Sequence, residues 1–229
     1  MFKQPQTVLV APEVQSTSQA RLPAGIAEVP LAHRPVSLAL IRLRSWSSRT
    51  QHIGYETHVH AEAAVAAALV TLLQKCSPSE DIFVATPHRI QREAVNTALA
   101  RIEMEDDIRE LEAEFGRMDI QPSYFTRSKV TVDTIERLQG SEAAFVICLF
   151  SLPRGYTTDL GFLLERRRLN VAISRAKALC ILISSDEVLC PSVKILADEE
   201  TAKGYAFLKA FEKRAWSYNL AVNTEKVSI

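Results

Sequence analysis

Three short, unbroken apolar runs constrain this chain most: Asp81 to Thr86 (DIFVAT), Ala144 to Leu152 (AFVICLFSL) and Ala178 to Ser184 (ALCILIS). Each is too short for a core helix and lacks the apolar/polar alternation of a strand with one wet face, so each reads as a strand buried on both sides. Helical segments separate them. Ala61 to Lys75 (AEAAVAAALVTLLQK) is rich in alanine and leucine, ends in a lysine and is followed by Pro78, which predicts a helix. His88 to Arg117 and Arg166 to Lys177 are helical in character, Thr201 to Tyr218 reads as a closing helix, and Val36 to Arg42 and Lys129 to Ile135 read as further strands. Alternation of this kind specifies an α/β fold with a mostly parallel sheet, whose crossovers lay helices on its faces.

Composition narrows the function. The chain has 229 residues, 47% hydrophobic and 24% charged, with 27 basic and 27 acidic side chains. It can bury a core, and with no net charge any contact with a polyanion must come from a local patch. Only seven residues are glycine, and no G-x-x-x-x-G-K-[ST] phosphate loop is present. Cys76, Cys148, Cys180 and Cys190 have no C-x-x-C pairing and read as reduced cysteines of an intracellular protein, cytoplasmic or nuclear. The N-terminus lacks an apolar signal core, and no run reaches the roughly 18 apolar residues of a membrane span. Five of the ten prolines lie within the first 35 residues, so residues 1–35 read as a proline-rich lead-in, 36–217 as the domain and 218–229 as a tail.

In a parallel sheet ligands collect at the carboxyl ends of strands, which directs attention to Thr86–Gln91, Thr134–Glu142 and the approach to Arg168–Arg175. In TIERLQGSE (Thr134 to Glu142), Gly140 permits positive φ or a close backbone approach. Gln139 and Glu142 offer an amide and a carboxylate to a ribose or base edge, and Thr134 offers a hydroxyl to a phosphate oxygen; an ordinary polar turn has the same composition. RRRLNVAISRAK (Arg166 to Lys177) is more specific. Leu169, Ala172, Ile173 and Ala176 form one apolar stripe, with Arg168 and Arg175 along its edge. From Glu165 to Lys177 there are five bases and one acid, an imbalance suited to a phosphate ligand, or else a set of solvated arginines.

Taken in order, with Gly161, Phe162 and Leu163 between them, these segments resemble motifs V and VI of the superfamily 1B helicases, in the second RecA-like domain. The match comprises Thr134, Ile135, Gln139, Gly140 and Glu142, then Arg167 to Lys177 without a break. Asp81 to Gln91 is similar to the strand, T-P-Y and Q of the motif IV region. Glu136 stands where the family has Asp, Leu138 where it has an aromatic, and His88 where it has Tyr. The Walker A loop and the acid pair of motif II have no counterpart.

The resemblance implies a single RecA-like domain that provides half of an ATP site. Arg175 takes the place of the arginine finger. Gly140, Glu142, Gln139 and Arg168 fall near the nucleotide, and Thr86 and Thr134 near the backbone of single-stranded RNA or DNA. ATP and Mg²⁺ would need an N-terminal RecA-like partner domain, in cis or in trans, so the chain reads as a fragment or truncated product without hydrolytic activity of its own. The rival reading is a non-catalytic adaptor that binds single-stranded nucleic acid or a protein. Four further segments read as structural. His58, His60 and Glu62 are helix-start polar residues, not a metal site. Lys194 to Thr201 (KILADEET) is a polar loop or helix start, not a Walker B strand. Trp216, Tyr205, Phe207 and Phe211 belong to the closing helix, with Phe207 and Phe211 on its packing face. The seven carboxylates from Glu103 to Glu114 read as a solvated helix face.

Overall fold

Strands and helices follow one another as β1 (Leu38–Trp46), α1 (Tyr55–Cys76), β2 (Ile82–Thr86), α2 (Arg89–Phe115), β3 (Val130–Thr134) and β4 (Ala143–Phe150). Two short helices, α3 (Leu160–Leu163) and α4 (Arg166–Ile173), lead into β5 (Ala176–Ser184), and α5 (Asp186–Leu189) and α6 (Glu199–Arg214) lead into β6 (Trp216–Asn223). The computed structural model describes residues 36–115, 129–138 and 140–227. The proline-rich lead-in and Gln139 lie outside them, as do the side chains of the acidic run beyond Met104.

The six strands form one sheet in the order β3-β2-β4-β5-β1-β6, and every neighbouring pair is parallel. Alternate residues of each strand serve opposite faces. Ile82, Val84, Ile147 and Ile181 pack with Val59, Ala63, Val70 and Leu73 of α1 and Val95 of α2. On the other face Phe83, Val146, Cys148 and Leu182 pack with Leu163, Leu169, Leu208 and Phe211 of α3, α4 and α6. Because both faces are covered, β2 is buried throughout and β4 nearly so, and the three apolar runs are the strands that their composition predicts.

α1 begins at Tyr55, six residues ahead of its alanine-rich stretch, because Val59 also faces the sheet and is 1% exposed. By length and composition α1 could cross a bilayer; here its Val59, Ala66, Val70 and Leu73 line the core. α4 ends at Ile173, not Lys177, because β5 starts at Ala176, which pairs with Ala143 of β4. The closing helix also ends early. Ala215 is extended (φ −77°, ψ 145°), and WSYNLAVN continues as β6 against β1, which carries the sheet past residue 217.

Trp216 therefore lies on the edge strand and not in the helix; it is stacked on Tyr218 with centroids 5.9 Å apart, and both are exposed. Phe211 is buried and Phe207 is packed beside it, as the helical spacing predicts. Asp198 caps α6 by accepting from the Thr201 N–H at 2.8 Å and its hydroxyl at 2.7 Å, so KILADEET is a helix start. α6 approaches the α3–α4 junction at Gly204, where an added Cβ would lie 1.5 Å from the Leu164 carbonyl oxygen. Beyond β6, Glu225 accepts from the hydroxyls of Ser47 (2.7 Å) and Ser48 (2.8 Å) and from the Arg49 N–H (3.0 Å), tying residue 225 to the loop after β1.

Candidate functional site

Thr86 and Thr134 end β2 and β3 as register partners at the carboxyl edge of the sheet. Thr86 is fully buried and its hydroxyl donates to the Asp133 carbonyl at 3.2 Å. The Asp133 carboxylate accepts from the Thr134 N–H at 2.8 Å and from Arg92 Nη1 at 3.3 Å. Asp133 is a hub that sequence reasoning missed; a carboxylate at the end of an apolar strand was its one signal. From Thr134 the chain crosses the α4 face of the sheet, anchored by buried Ile135 and Leu138. Gly140 has φ +87°, and among the described residues no heavy atom beyond its chain neighbours lies within 4 Å of where its Cβ would be, so the glycine serves the turn and its outer side is open there.

Both predicted arginines reach this crossover, in different ways. Arg168 donates from Nε to Glu136 Oε1 at 2.9 Å and from Nη1 to Glu165 Oε2 at 2.6 Å, and its guanidinium lies 3.6 Å from the centre of the Phe162 ring. Burial tends to raise the Glu136 carboxyl, but bonds from its own backbone and from Arg168 hold it below its ordinary value. Arg168 is thus a strut whose charge is already matched. Arg175 lies beyond the end of α4, not on its edge. It donates from Nε to the Val171 carbonyl at 3.2 Å and from Nη1 to the Ser141 carbonyl at 3.3 Å. Among the described residues it meets no carboxylate. Glu142 is 3.7 Å from Lys177 Nζ.

The carboxyl-end rule gathers only part of this set. Thr86 and Thr134 obey it, whereas Gly140 to Glu142 and Arg175 sit at the amino ends of β4 and β5, where the Ala143 N–H donates to the Arg175 carbonyl at 3.1 Å. The crossover from β3 to β4 spans the sheet from one end to the other, so one segment serves both.

His58 and Glu62 are no surface pair. Glu62 is fully buried. Its Oε1 accepts from the Ser151 hydroxyl at 2.6 Å and N–H at 3.1 Å, and its Oε2 from Gln91 Nε2 at 2.7 Å. His58 Nε2 is 2.8 Å from the Ser151 hydroxyl and its Nδ1 is 2.7 Å from that of Ser45. Burial pushes the Glu62 carboxyl up to about 7, against the bonds from Ser151 and Gln91, and pushes His58 down to about 4. Among the described residues no group of three or more His, Cys, Asp or Glu is placed to hold a metal ion.

These two shifts oppose each other in pH. The folded Glu62 takes up a proton between pH 7 and 4.5 that the unfolded chain does not, so it adds stability as the pH falls through that window. The unfolded His58 protonates near 6.5 and the folded one only near 4, so it removes stability as the pH falls between those values. The expected result is that His58→Gln gains stability on acidification from pH 7 to 4.5, whereas Glu62→Gln loses it below pH 6.5. Urea midpoints measure both, and identical pH profiles in the two variants would exclude the assignment.

A family model described as an AAA domain matches residues 14–187, well over half of the chain. The chain belongs to that family. Its motifs make it a C-terminal RecA-like domain of the superfamily 1B helicases. A relative it matches is ECM32 of Saccharomyces cerevisiae, named as a putative ATP-dependent RNA helicase, 29% identical over 165 residues. That match covers 65% of this chain and 14% of the relative's length. Among solved structures, T4 UvsW aligns over 82% of the chain and 42% of its own, with 13% identity and a TM-score of 0.39. The six-stranded parallel sheet with helices on both faces is the architecture expected of this helicase domain.

Proposed function

We propose that this helicase domain forms one wall of an ATP site, with Arg175 facing the phosphates, and part of a single-stranded nucleic-acid track at Thr86 and Thr134. The observation that carries the reading is the contrast between the two arginines. Arg168 has two carboxylates within 3 Å, whereas among the described residues Arg175 is held by two carbonyl oxygens, at 3.2 and 3.3 Å. A guanidinium with an unmatched charge beside an open glycine turn can be drawn outward by a phosphoryl group at the loss of two weak bonds, and arginine's planar fork suits that ligand.

Helicases of this family in general use ATP and Mg²⁺. From this chain a nucleotide would meet Arg175, the open side of Gly140 and the Glu142 carboxylate, while the phosphate loop and the metal-binding acids would come from an N-terminal RecA-like domain. Bound there, the nucleotide supplies the phosphoryl group whose transfer drives the motor; Arg175 supplies positive charge beside it. The track would be read through its phosphates, independently of sequence, and the name of the yeast relative favours RNA.

The test joins this chain to a superfamily 1B N-terminal domain carrying a phosphate loop and measures Mg²⁺-dependent ATP hydrolysis. Arg175→Ala is expected to slow turnover by about 10³-fold or more, as loss of an arginine finger does elsewhere, and the chain alone is expected to hydrolyse no ATP. A joined Arg175→Ala protein as fast as its parent would end the proposal.

A further inference from the structure

The buried carboxylate of Glu62 connects, bond by bond, to the wall that carries Arg168. Gln91 donates from Nε2 to Glu62 Oε2 at 2.7 Å and accepts at Oε1 from the His88 N–H at 3.2 Å. Gln91 is the third residue of α2 and His88 the residue before the helix, so this second bond is the returning half of a capping box. The His88 ring stacks on Phe162 with centroids 4.7 Å apart and planes 18° apart, and Phe162 bears the Arg168 guanidinium. Among the described residues, His88 Nε2 is buried without a hydrogen-bond partner, with Asp159 Oδ2 3.9 Å away. The ring is therefore placed by its stack and its backbone and not by a bond of its own.

We infer that Glu62 is a positioning residue: by fixing which way the Gln91 amide faces, it pins the His88 backbone and sets the Phe162 shelf on which Arg168 rests. The logic is that of donors and acceptors. An ionised Glu62 only accepts, so Gln91 must turn its NH₂ toward it and its carbonyl toward the His88 N–H. A Gln91 amide turned the other way would set a carbonyl against a carboxylate and an NH₂ against an N–H, and both contacts would be lost. The functional meaning of the shelf rests on the ATP-wall reading; its geometry does not.

Two variants test this at pH 8, where Glu62 is ionised, in the full chain. In Glu62→Gln the new carbonyl can still serve Ser151, but its NH₂ meets the NH₂ of Gln91. That amide turns over, the His88 N–H loses its acceptor, and the ring leaves Phe162. The expected result is a His88 ring proton signal that loses its upfield displacement and a His88 amide that exchanges at least tenfold faster. The exchange of the two side chains, Glu62→Gln with Gln91→Glu, restores every pairing: the amide at position 62 donates to the carboxylate at position 91, whose other oxygen accepts from the His88 N–H. It should return both signals to their wild-type positions.

A merely space-filling role for Glu62 predicts no change in the single variant and nothing to rescue in the double. Wild-type His88 signals in Glu62→Gln, or no restoration in the double variant, overturn the inference. If the single variant fails to fold, the double decides alone: wild-type signals support the inference and altered ones overturn it. Arg175→Ala tests the ATP-wall reading without touching these signals, so the two can fail separately.

Discussion

Gly204→Ala is expected to lower stability by about 2–3 kcal/mol, the size of an overpacked core, seen as a fall of roughly 5–10 °C in melting temperature for a domain of this length. Two effects compete. Alanine is favoured over glycine inside a helix by about 1 kcal/mol, and on an open helix face that term would decide the sign. Here the new Cβ would fall 1.5 Å from the Leu164 carbonyl oxygen and 2.6 Å from its carbon. Those atoms are backbone, with α3 ending just before them and α4 starting just after, so no side chain can swing aside. α6 must lift as a body, drawing Leu208 and Phe211 out of the core they share with Leu169. A melting temperature at or above that of the wild type would show that the two helices do not meet this closely.

Glu62→Ala is expected to cost about 2–5 kcal/mol, the sum of two buried donors left without acceptors. Truncation leaves the Ser151 N–H and the Gln91 NH₂ facing a cavity, and an unsatisfied buried donor costs about 1–3 kcal/mol. Ser151 and Gln91 are 1% and 2% exposed, which leaves bulk water little access to either. Relief of the carboxylate's own desolvation works the other way, which is why the loss is not larger. Glu62→Gln keeps an oxygen for Ser151 and should be the milder change. Urea midpoints give the ranking; an alanine variant no less stable than the glutamine one would refute the role assigned to these bonds.

Both residues show where the amino-acid sequence was legible and where it was not. The strands at residues 82–86, 143–150 and 176–184 announce themselves because burial on two faces leaves few polar residues in a short run. Motif spacing located Arg168 and Arg175, since arginines in excess over acids stand out in any sequence. Helical periodicity then misled, as it extended α4 through Arg175 when the pairing of Ala176 with Ala143 had already drawn the chain straight. β6 was missed for a similar reason: WSYNLAVN alternates with period two, but it follows a helix without a glycine or proline to mark the change. Gly204 and Glu62 were illegible for a deeper one. A glycine inside a helix and a glutamate among alanines declare no role locally, because Leu164, Ser151 and Gln91, which give them one, are brought near only by the fold.

The position of β1 governs when the domain can form as it is synthesised. The first strand sits between β5 and β6, with Leu38 opposite Cys180 and Ala39 opposite Trp216. Its nearest partner is made 142 residues later, a wait of roughly 7–28 s at about 5–20 residues per second. Until then Leu38–Trp46, four of whose residues are buried in the finished sheet, has none of its described partner strands beside it and depends on α1 or a chaperone for cover. Pairing at such sequence separation is slow to nucleate. Assembly therefore becomes possible only once the segment carrying both arginines has left the ribosome, so no folded intermediate can hold the first four strands in native order without motif VI.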